Sequence, residues 1–308
     1  MPRLSSHNLS FLPMFNSIAQ MVALADEKSQ PLHEIVLQAE MANGGKSRDY
    51  LRSRMARRLE IMQHAAVQGI SQPVMSISGI SGGSAYRFWN WLEAGHEPLT
   101  GPVLSRAVAR AMAVNEVNAG MGCIVATPTA GSAGILPAVL LTLQELRGFS
   151  DEQLVDALFT ASGIGAVIVR RAHISGAAGG CQAETGSAAC MAAGAAVELL
   201  GGAPQQSAQA VAITMKNMLG LVCDPVAGLV EAPCVKRNAA GAAQCFIAVD
   251  LALAGVESII PADEVIDAMA EVGRRMDERF RETAQGGLAA TPTGRRLAEL
   301  VWGEKGRG

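Results

Sequence analysis

Three cysteines are placed where they could carry chemistry. Cys181 follows two glycines in the stretch SGAAGGCQAETGSAAC, and Cys223 and Cys234 share the stretch GLVCDPVAGLVEAPCVKRN. A proline lies within two residues of each cysteine in the second stretch, where proline ends helices and holds a loop open. We expect a glycine hinge and a rigid loop to bring the three thiols together.

The spacing of these cysteines indicates which metal group they could bind. Cys181 and Cys223 are 42 residues apart, and Cys223 and Cys234 are 11 apart. Zinc fingers and ribbons instead use pairs of ligands roughly two to four residues apart. Three thiolates suit a four-iron, four-sulfur cluster in which one iron has no protein ligand. That iron is an open Lewis acid, whereas a fourth cysteine would favour electron transfer.

The other three cysteines are Cys123, Cys190 and Cys245. In a reducing cytosol six cysteines are not expected to form three disulfides. Free cysteine behaves as a small apolar residue. We therefore predict that these three are buried, inert thiols.

Composition narrows the class of protein. The 308 residues carry a net charge of −3, so neither nucleic acid nor an anionic membrane is expected as a partner. Residues 117–144 contain no charged side chain, but prolines and glycines interrupt them, so we predict burial in protein rather than in lipid. The N-terminus has no apolar stretch of signal-peptide length. We expect a cytoplasmic protein.

Periodicity predicts an all-α fold: a multi-helix, bundle-like body whose Gly/Pro-rich loops would carry the cluster. Helical spacing begins at Ile18, a third helix begins after a Ser47 cap, and the last clear helix covers residues 263–280. Strands with alternating polarity are missing. We predict an N-terminal helical region, residues 1–70, and a cluster-binding helical domain, residues 71–308, which together could form one continuous domain.

The third predicted helix carries four arginines, which are Arg52, Arg54, Arg57 and Arg58. Two interpretations remain open for them. They could form an interaction patch, but a solvated helix face is the favoured interpretation.

Two loops have the composition of a substrate-binding site. TPTAGSAG, residues 127–134, offers Thr129, Gly131 and Ser132 just before a helix predicted to start near Ile135. Backbone N–H groups at such a helix start can receive a carboxylate. SGISGGSA, residues 78–85, offers Ser81 and Gly83 in the same way. The alternative is that both are ordinary Ser/Gly turns and caps.

The two cysteine stretches, together with AVNEVNAGMG, ATPTAGSAGILPAVL and GGLAATPTG, resemble the iron–sulfur-dependent L-serine dehydratase family, alpha chain. The resemblance covers about residues 14–297. It implies that Cys181, Cys223 and Cys234 bind a 4Fe-4S cluster. It also implies an all-helical fold and the conversion of L-serine to pyruvate and ammonia, with the amino acid bound at the open iron.

The sequence offers several candidates for the general base. Lys216, Glu184 and His173 are the candidates, although Lys216 could equally be a surface charge or a partner for Asp224. In the family a second, beta region is either fused ahead or supplied as a separate chain. Because no β-rich region is predicted here, we expect a separate beta subunit, a homo-oligomer or both, and the base could come from the beta subunit.

Other functions are compatible with these residues. An open iron could hold the thiolate of L-cysteine in a desulfidase, and another 3-hydroxy amino acid could replace serine. A non-catalytic iron–sulfur sensor would need the cluster but not the two polar loops. A structural zinc module is disfavoured by the cysteine spacing.

Overall fold

The computed structural model describes residues 15–303, and the expectations that concern residues 1–14 and 304–308 lie outside that range. Within it the chain forms thirteen α-helices, and the only β-pairings are two isolated bridges, which confirms the all-α prediction. The helices are α1 (Ile18–Lys28), α2 (Leu32–Gly44), α3 (Arg48–Ser71), α4 (Ser84–Glu93), α5 (Gly101–Ala119), α6 (Ile135–Arg147), α7 (Asp151–Arg171), α8 (Gly176–Gly179), α9 (Ser187–Leu199), α10 (Pro204–Met218), α11 (Cys234–Leu253), α12 (Ala262–Arg275) and α13 (Pro292–Trp302).

Side-chain caps begin several of these helices. The hydroxyl of Ser47 accepts from the N–H of Tyr50, so α3 starts where the sequence predicts. Ser150 and Gln153 form a capping box at the start of α7. Each cap satisfies N–H groups that the first helical turn leaves without partners.

Helix α9 lies at the centre of the body. Its sequence SAACMAAGAAVEL is buried from Ser187 to Val197, and α6, α7, α10 and α11 pack around it. Small residues permit this crowding: a Cβ added to Gly194 would lie 2.4 Å from the Cδ1 atom of Ile164. The low aromatic content of the chain thus corresponds to closely approaching helix backbones.

In the uncharged segment of residues 117–144 the second half is buried in protein, as predicted, because it forms the core helix α6, whereas most of residues 118–131 are only partly buried. Among the described helices, α7 alone is long and apolar enough to cross a membrane by length and composition. Within the protein, 67% of the most apolar stretch of α7 is buried.

The C-terminal part differs from the prediction. Helix α12 ends at Arg275, and residues Glu278–Phe280 form a separate 3₁₀ turn. Helix α13, Pro292–Trp302, was not predicted. The largest apolar core contains residues from both sides of position 70, and the division into two regions stays a prediction.

Candidate functional site

Cys181, Cys223 and Cys234 lie close enough together for the charge of Cys181 to act on the other two thiols. Cys181 immediately precedes a π-helical turn, Gln182–Gly186, Cys223 lies in an irregular segment, and Cys234 is the first residue of α11. Only 4%, 3% and 8% of their respective surfaces are exposed. Burial raises the pKa of all three thiols, and the pKa of Cys234 reaches about 12. The thiols also raise one another's pKa values, because Cys181 acts on both of the others.

Glycine is required where the backbone passes these thiols. A Cβ on Gly176 would lie 2.6 Å from the sulfur of Cys223 and 2.9 Å from Oε2 of Glu184. Gly180 has a φ of +77°, and a Cβ there would lie 2.6 Å from the sulfur of Met276. The glycines before Cys181 therefore leave room beside the thiols, as well as supplying the turn.

The segment after α12 fixes Cys223. The N–H of Cys223 donates to the carbonyl of Phe280 (2.7 Å), and the N–H of Glu282 donates to the carbonyl of Cys223 (2.8 Å). These two bonds hold the cysteine in a short parallel pairing with Arg281. Two stretches far apart in sequence thus set the position of one thiol.

A buried ion pair holds the cysteine loop to α11. The guanidinium of Arg237 lies 2.8 Å from the carboxylate of Asp224 and donates to the carbonyl of Val222 (2.8 Å). Its charge and a hydrogen bond oppose the rise in the pKa of Cys181. Asp224 also accepts from the N–H of Leu288 (2.7 Å), in the motif GGLAATPTG. The ion pair therefore links that motif to the thiols.

Glu184 is the carboxyl group nearest these thiols. Its Oε1 accepts from the hydroxyl of Thr129 (2.5 Å), and its Oε2 lies 4.0 Å from the sulfur of Cys223. Burial and the charge of Glu282 raise its pKa, and the bond from Thr129 opposes this. A carboxyl group with a raised pKa, beside a potential metal site, is suited to proton transfer.

The loop of residues 127–134 passes directly in front of Glu184. The side-chain amides of Asn115 and Asn238 both donate to the carbonyl of Gly131 (3.0 and 2.7 Å), which fixes the loop between α5 and α11. A Cβ on Gly131 would lie 3.0 Å from Oε1 of Glu184. Ser132 is fully buried, and its hydroxyl donates to the carbonyl of Thr127 (3.2 Å). The loop thus brings Thr129 and Gly131 to the site.

The loop of residues 78–85 serves a different carboxylate. The hydroxyls of Ser78 and Ser81 donate to Glu231, which is three residues before Cys234. Gly83 has a φ of +67° and precedes the first residue of α4, whose first N–H groups bind Glu116. Ser81 thus supports the second cysteine loop, and the roles of Ser81 and Gly83 in substrate binding stay predictions.

Two of the three candidate bases lie elsewhere. The ammonium of Lys216 donates to the carbonyl of Ser258 (2.8 Å), and Arg237, not Lys216, is the ion-pair partner of Asp224. His173 is exposed on the segment before α8. Of the three candidates, the structure brings Glu184 to the thiols.

The remaining cysteines fall into two groups. Cys190 and Cys245 are fully buried, and their thiols donate to carbonyls of helical residues, as expected of inert thiols. Cys123 is exposed, so the prediction that it is buried was wrong. The loop after α5 carries Cys123 along the surface before the chain turns inward to α6.

Sequence reasoning missed several residues of the site. These are Arg237, Asn238, Asn115, Glu231 and Glu282. For two of them a signal was present: a charged and an amide residue follow Cys234 by three and four positions, which places them one helical turn along α11. Glu282 carried no such signal, because its proximity depends on the path of an irregular segment.

Three buried thiols are the kind of donor set that an iron–sulfur cluster binds. Among residues 15–303 no three His, Cys, Asp or Glu side chains are grouped closely enough to hold one metal ion. In a four-iron cluster each cysteine binds a different iron, so the thiols need not converge on a single atom. The space that a Cβ on Gly176 would fill lies between Cys223 and Glu184. The three thiols and this space are compatible with a cluster.

These observations define a helical protein with a buried thiol and carboxyl centre on irregular loops. The chain belongs to the serine dehydratase alpha chain family, whose model matches residues 27–289. The resemblance seen in the motifs is thereby confirmed.

The relatives agree over most of the chain. It is 50% identical to the probable L-serine dehydratase, alpha chain, of Bacillus subtilis (strain 168) over 290 residues, which cover 94% of this chain and 96% of that protein. It is 43% identical to the L-serine dehydratase, alpha chain, of Peptoniphilus asaccharolyticus, over 92% of this chain and 97% of that one. The L-serine dehydratase of Streptomyces coelicolor is 47% identical over 58% of this chain, which is 40% of its own length.

Proposed function

We propose that this chain is the catalytic alpha chain of an L-serine dehydratase, a lyase that converts L-serine to pyruvate and ammonia. The observation that carries the proposal is the position of Glu184, between three buried thiols and the loop of residues 127–134. A chain built only to bind a cluster as a sensor has no need of a carboxyl group held at this point. The names of the relatives give the substrate.

Cys181, Cys223 and Cys234 are the residues that would hold a 4Fe-4S cluster. An open iron of this cluster would supply Lewis-acid activation of the substrate's hydroxyl and carboxylate groups. Arg237 contributes a positive charge beside Cys181 and Cys234, which favours their thiolate forms. Its pairing with Asp224 keeps that charge at a fixed distance from the thiols.

Glu184 is the general base in this proposal. Its raised pKa increases its proton affinity, and Thr129 holds one oxygen so that the other faces the thiols. Glu184 takes the proton from the α-carbon of serine as the bond between the β-carbon and its oxygen breaks, and it then returns this proton to the leaving hydroxide, which departs as water. The base therefore belongs to this chain, and the beta subunit need not supply it.

The loop of residues 127–134 would orient the substrate. Thr129, Gly131 and the backbone of Ser132 lie beside Glu184, where N–H groups before α6 can receive the carboxylate of serine. Loss of the α-proton and the hydroxyl leaves aminoacrylate, which tautomerises to an imine. Water hydrolyses the imine to pyruvate and ammonia without a redox step.

The names and lengths of the relatives support a proposal about the partner chain. Two relatives that match most of this chain are named alpha chains, and the Streptomyces protein is long enough to contain a further region. We therefore propose a separate beta chain as a partner. The substrate is a small cytosolic amino acid, and we place the enzyme in the cytoplasm.

The test is anaerobic reconstitution with iron and sulfide, followed by assays with L-serine, L-threonine and L-cysteine, each with and without the beta chain. We expect about four irons per chain and the highest kcat/KM with L-serine. Release of sulfide from L-cysteine with a higher kcat/KM would identify a desulfidase instead. A loaded cluster that turns over none of the three amino acids, even with the beta chain, would indicate a sensor.

A further inference from the structure

A cavity lies beside residues 125–127, where the loop of residues 127–134 begins. It has a volume of about 450 Å³ and opens between α2, α3 and α7. This volume lies within the roughly 300–1,000 Å³ that is usual for small-molecule sites. None of the three cluster cysteines lines it, and neither does Glu184.

The arginines of α3 divide into two groups at this cavity. Arg52 pairs with Asp156 and Arg57 pairs with Glu60. Arg54 and Arg58 line the cavity instead, and these exposed side chains make no ion pair or hydrogen bond with another residue in the described part of the chain. The guanidinium group binds carboxylates through paired N–H donors, so two unpaired arginines at one opening favour an organic anion.

The charged side chains that line the cavity leave about one positive charge without compensation. Glu40 also lines it, and burial raises the pKa of this carboxyl group while Arg58 opposes the rise. With Glu40 ionised, its charge compensates one of the two arginines. The remaining charge matches a single carboxylate.

The inner wall of the cavity is apolar. It is formed by Met55, Met62, Leu136, Phe159 and Met191. Methionine side chains adapt to ligands of irregular shape, and such a wall stabilises a hydrocarbon body by removing it from water. The cavity therefore combines a cationic mouth with an apolar floor.

We propose that this cavity binds a small carboxylate with an apolar body, at a site separate from the thiols. Thr127 lines the cavity, and its hydroxyl is buried with no hydrogen-bond partner among residues 15–303. Thr127 is two residues from Thr129, which holds Glu184. The ligand would thus contact the same loop that holds the proposed base, Glu184, but at Thr127 rather than at Thr129. Binding at the cavity does not depend on the proposed reaction.

The test uses the full, cluster-loaded chain and calorimetry with three probes that share one apolar body. These are 4-methylpentanoate, its neutral amide 4-methylpentanamide, and L-leucine, which adds an α-ammonium group. We expect the carboxylate to bind and the amide to bind at least about tenfold more weakly, because it makes no charge-assisted hydrogen bonds. Tighter binding of leucine than of 4-methylpentanoate would support an amino acid as the source of the carboxylate, with Glu40 receiving its ammonium group.

Matched variants assign the binding to this cavity. Arg54→Gln and Arg58→Gln should each weaken the carboxylate by about tenfold. Arg57→Gln is the control, because this arginine lies on the same helix but pairs with Glu60. The proposal is overturned if neither carboxylate binds, if the amide binds equally well, or if binding survives both cavity substitutions.

Discussion

Glu184 and Glu198 are two largely buried carboxyl groups in different environments. Glu198, at the end of α9, accepts from the N–H groups of Leu32 and His33 (2.9 and 3.2 Å), the imidazole of His33 (2.6 Å) and the hydroxyl of Thr160 (3.0 Å). Glu184, before the start of the same helix, accepts one hydroxyl group and faces a thiol. Glu116 resembles Glu198, because it accepts two N–H groups at the start of α4.

This difference distinguishes a carboxyl group whose hydrogen bonds stabilise the fold from one that we propose takes part in catalysis. A carboxylate at a helix start gains N–H donors and a favourable dipole, which offset the cost of its desolvation. Glu184 lacks such donors, and the glycines on either side of it leave space for a substrate. Its charge is therefore less well stabilised, and its pKa is raised. Replacement of Glu198 should cost stability, whereas replacement of Glu184 should cost activity.

The largest effect is expected at the cysteines, where proposed ligands can be compared with a buried thiol that has no such role. Cys181→Ala, Cys223→Ala and Cys234→Ala should each abolish the cluster, because each removes one of the three proposed ligands. Iron content and the visible spectrum of anaerobic protein measure the loss. Cys245→Ala should retain the iron, since this thiol donates to the carbonyls of Ala189 and Gly241. Retention of the cluster in any of the first three variants would contradict the ligand assignment.

Glu184→Gln should reduce turnover by about 10²–10⁴-fold, the range typical of the loss of a general base. The substitution preserves the shape of the side chain and its bond with Thr129. Iron content and the free energy of unfolding should therefore stay close to those of the parent protein. Kinetics in the presence of the beta chain are the measurement, with Glu198→Gln as the matched control. Equal turnover in the parent and Glu184→Gln would assign the base to another residue.

Glu198→Gln should destabilise the protein by about 1–3 kcal/mol, because the amide is a poorer acceptor for four donors, one of them the His33 imidazole. Denaturant titration under anaerobic conditions measures the free energy of unfolding. The kcat of the folded fraction should be unchanged. An unchanged free energy together with reduced kcat would reverse the proposed division between the two carboxyl groups.

The smallest effect is a pH dependence of stability that originates at His33. Burial acts to lower the pKa of His33, but the hydrogen bond and charge of Glu198, together with Asp156 and Glu34, raise it above 6.5. A raised pKa in the folded state stabilises the protein fully below pH 6.5, the unfolded value, and this contribution is lost as pH rises through the folded value. The free energy of unfolding should fall across that window by about 1 kcal/mol or less.

His33→Asn should remove this slope. His64→Gln should keep it, since His64 is exposed on α3 and its loss affects neither carboxylate. Denaturant titrations at a series of pH values are the measurement. A slope that persists without His33 would place the titrating group elsewhere.

Much of the fold follows from local rules. The Ser47 cap, the start of α1 at Ile18 and the start of α6 at Ile135 each depend on residues within one or two turns. Helix α13 was missed because a Pro-Thr-Gly start and exposed charges weaken its pattern. The end of α12 was missed because residues 276–280 continue the helical pattern, whereas the structure has a separate turn there.

The site was predictable in part. Spacing and flanking residues marked the three cysteines and the loop of residues 127–134, but they left Lys216, Glu184 and His173 as candidates for the base. Helix packing distinguishes their positions, because it places Lys216 against Ser258 and leaves His173 exposed. The partners of Asp224, one in α11 and one at Leu288, likewise depend on distant contacts.

The contacts of the Cys223 segment also set an order of events during synthesis. Its neighbours at Phe280, Glu282 and Leu288 leave the ribosome long after the three cysteines have done so. Because chains fold from the N-terminal side as they emerge, α9 can pack while the last wall of the site is still missing. Residues 280–288, which fix the segment of Cys223 and Asp224, are therefore the last part of the proposed site to be synthesised.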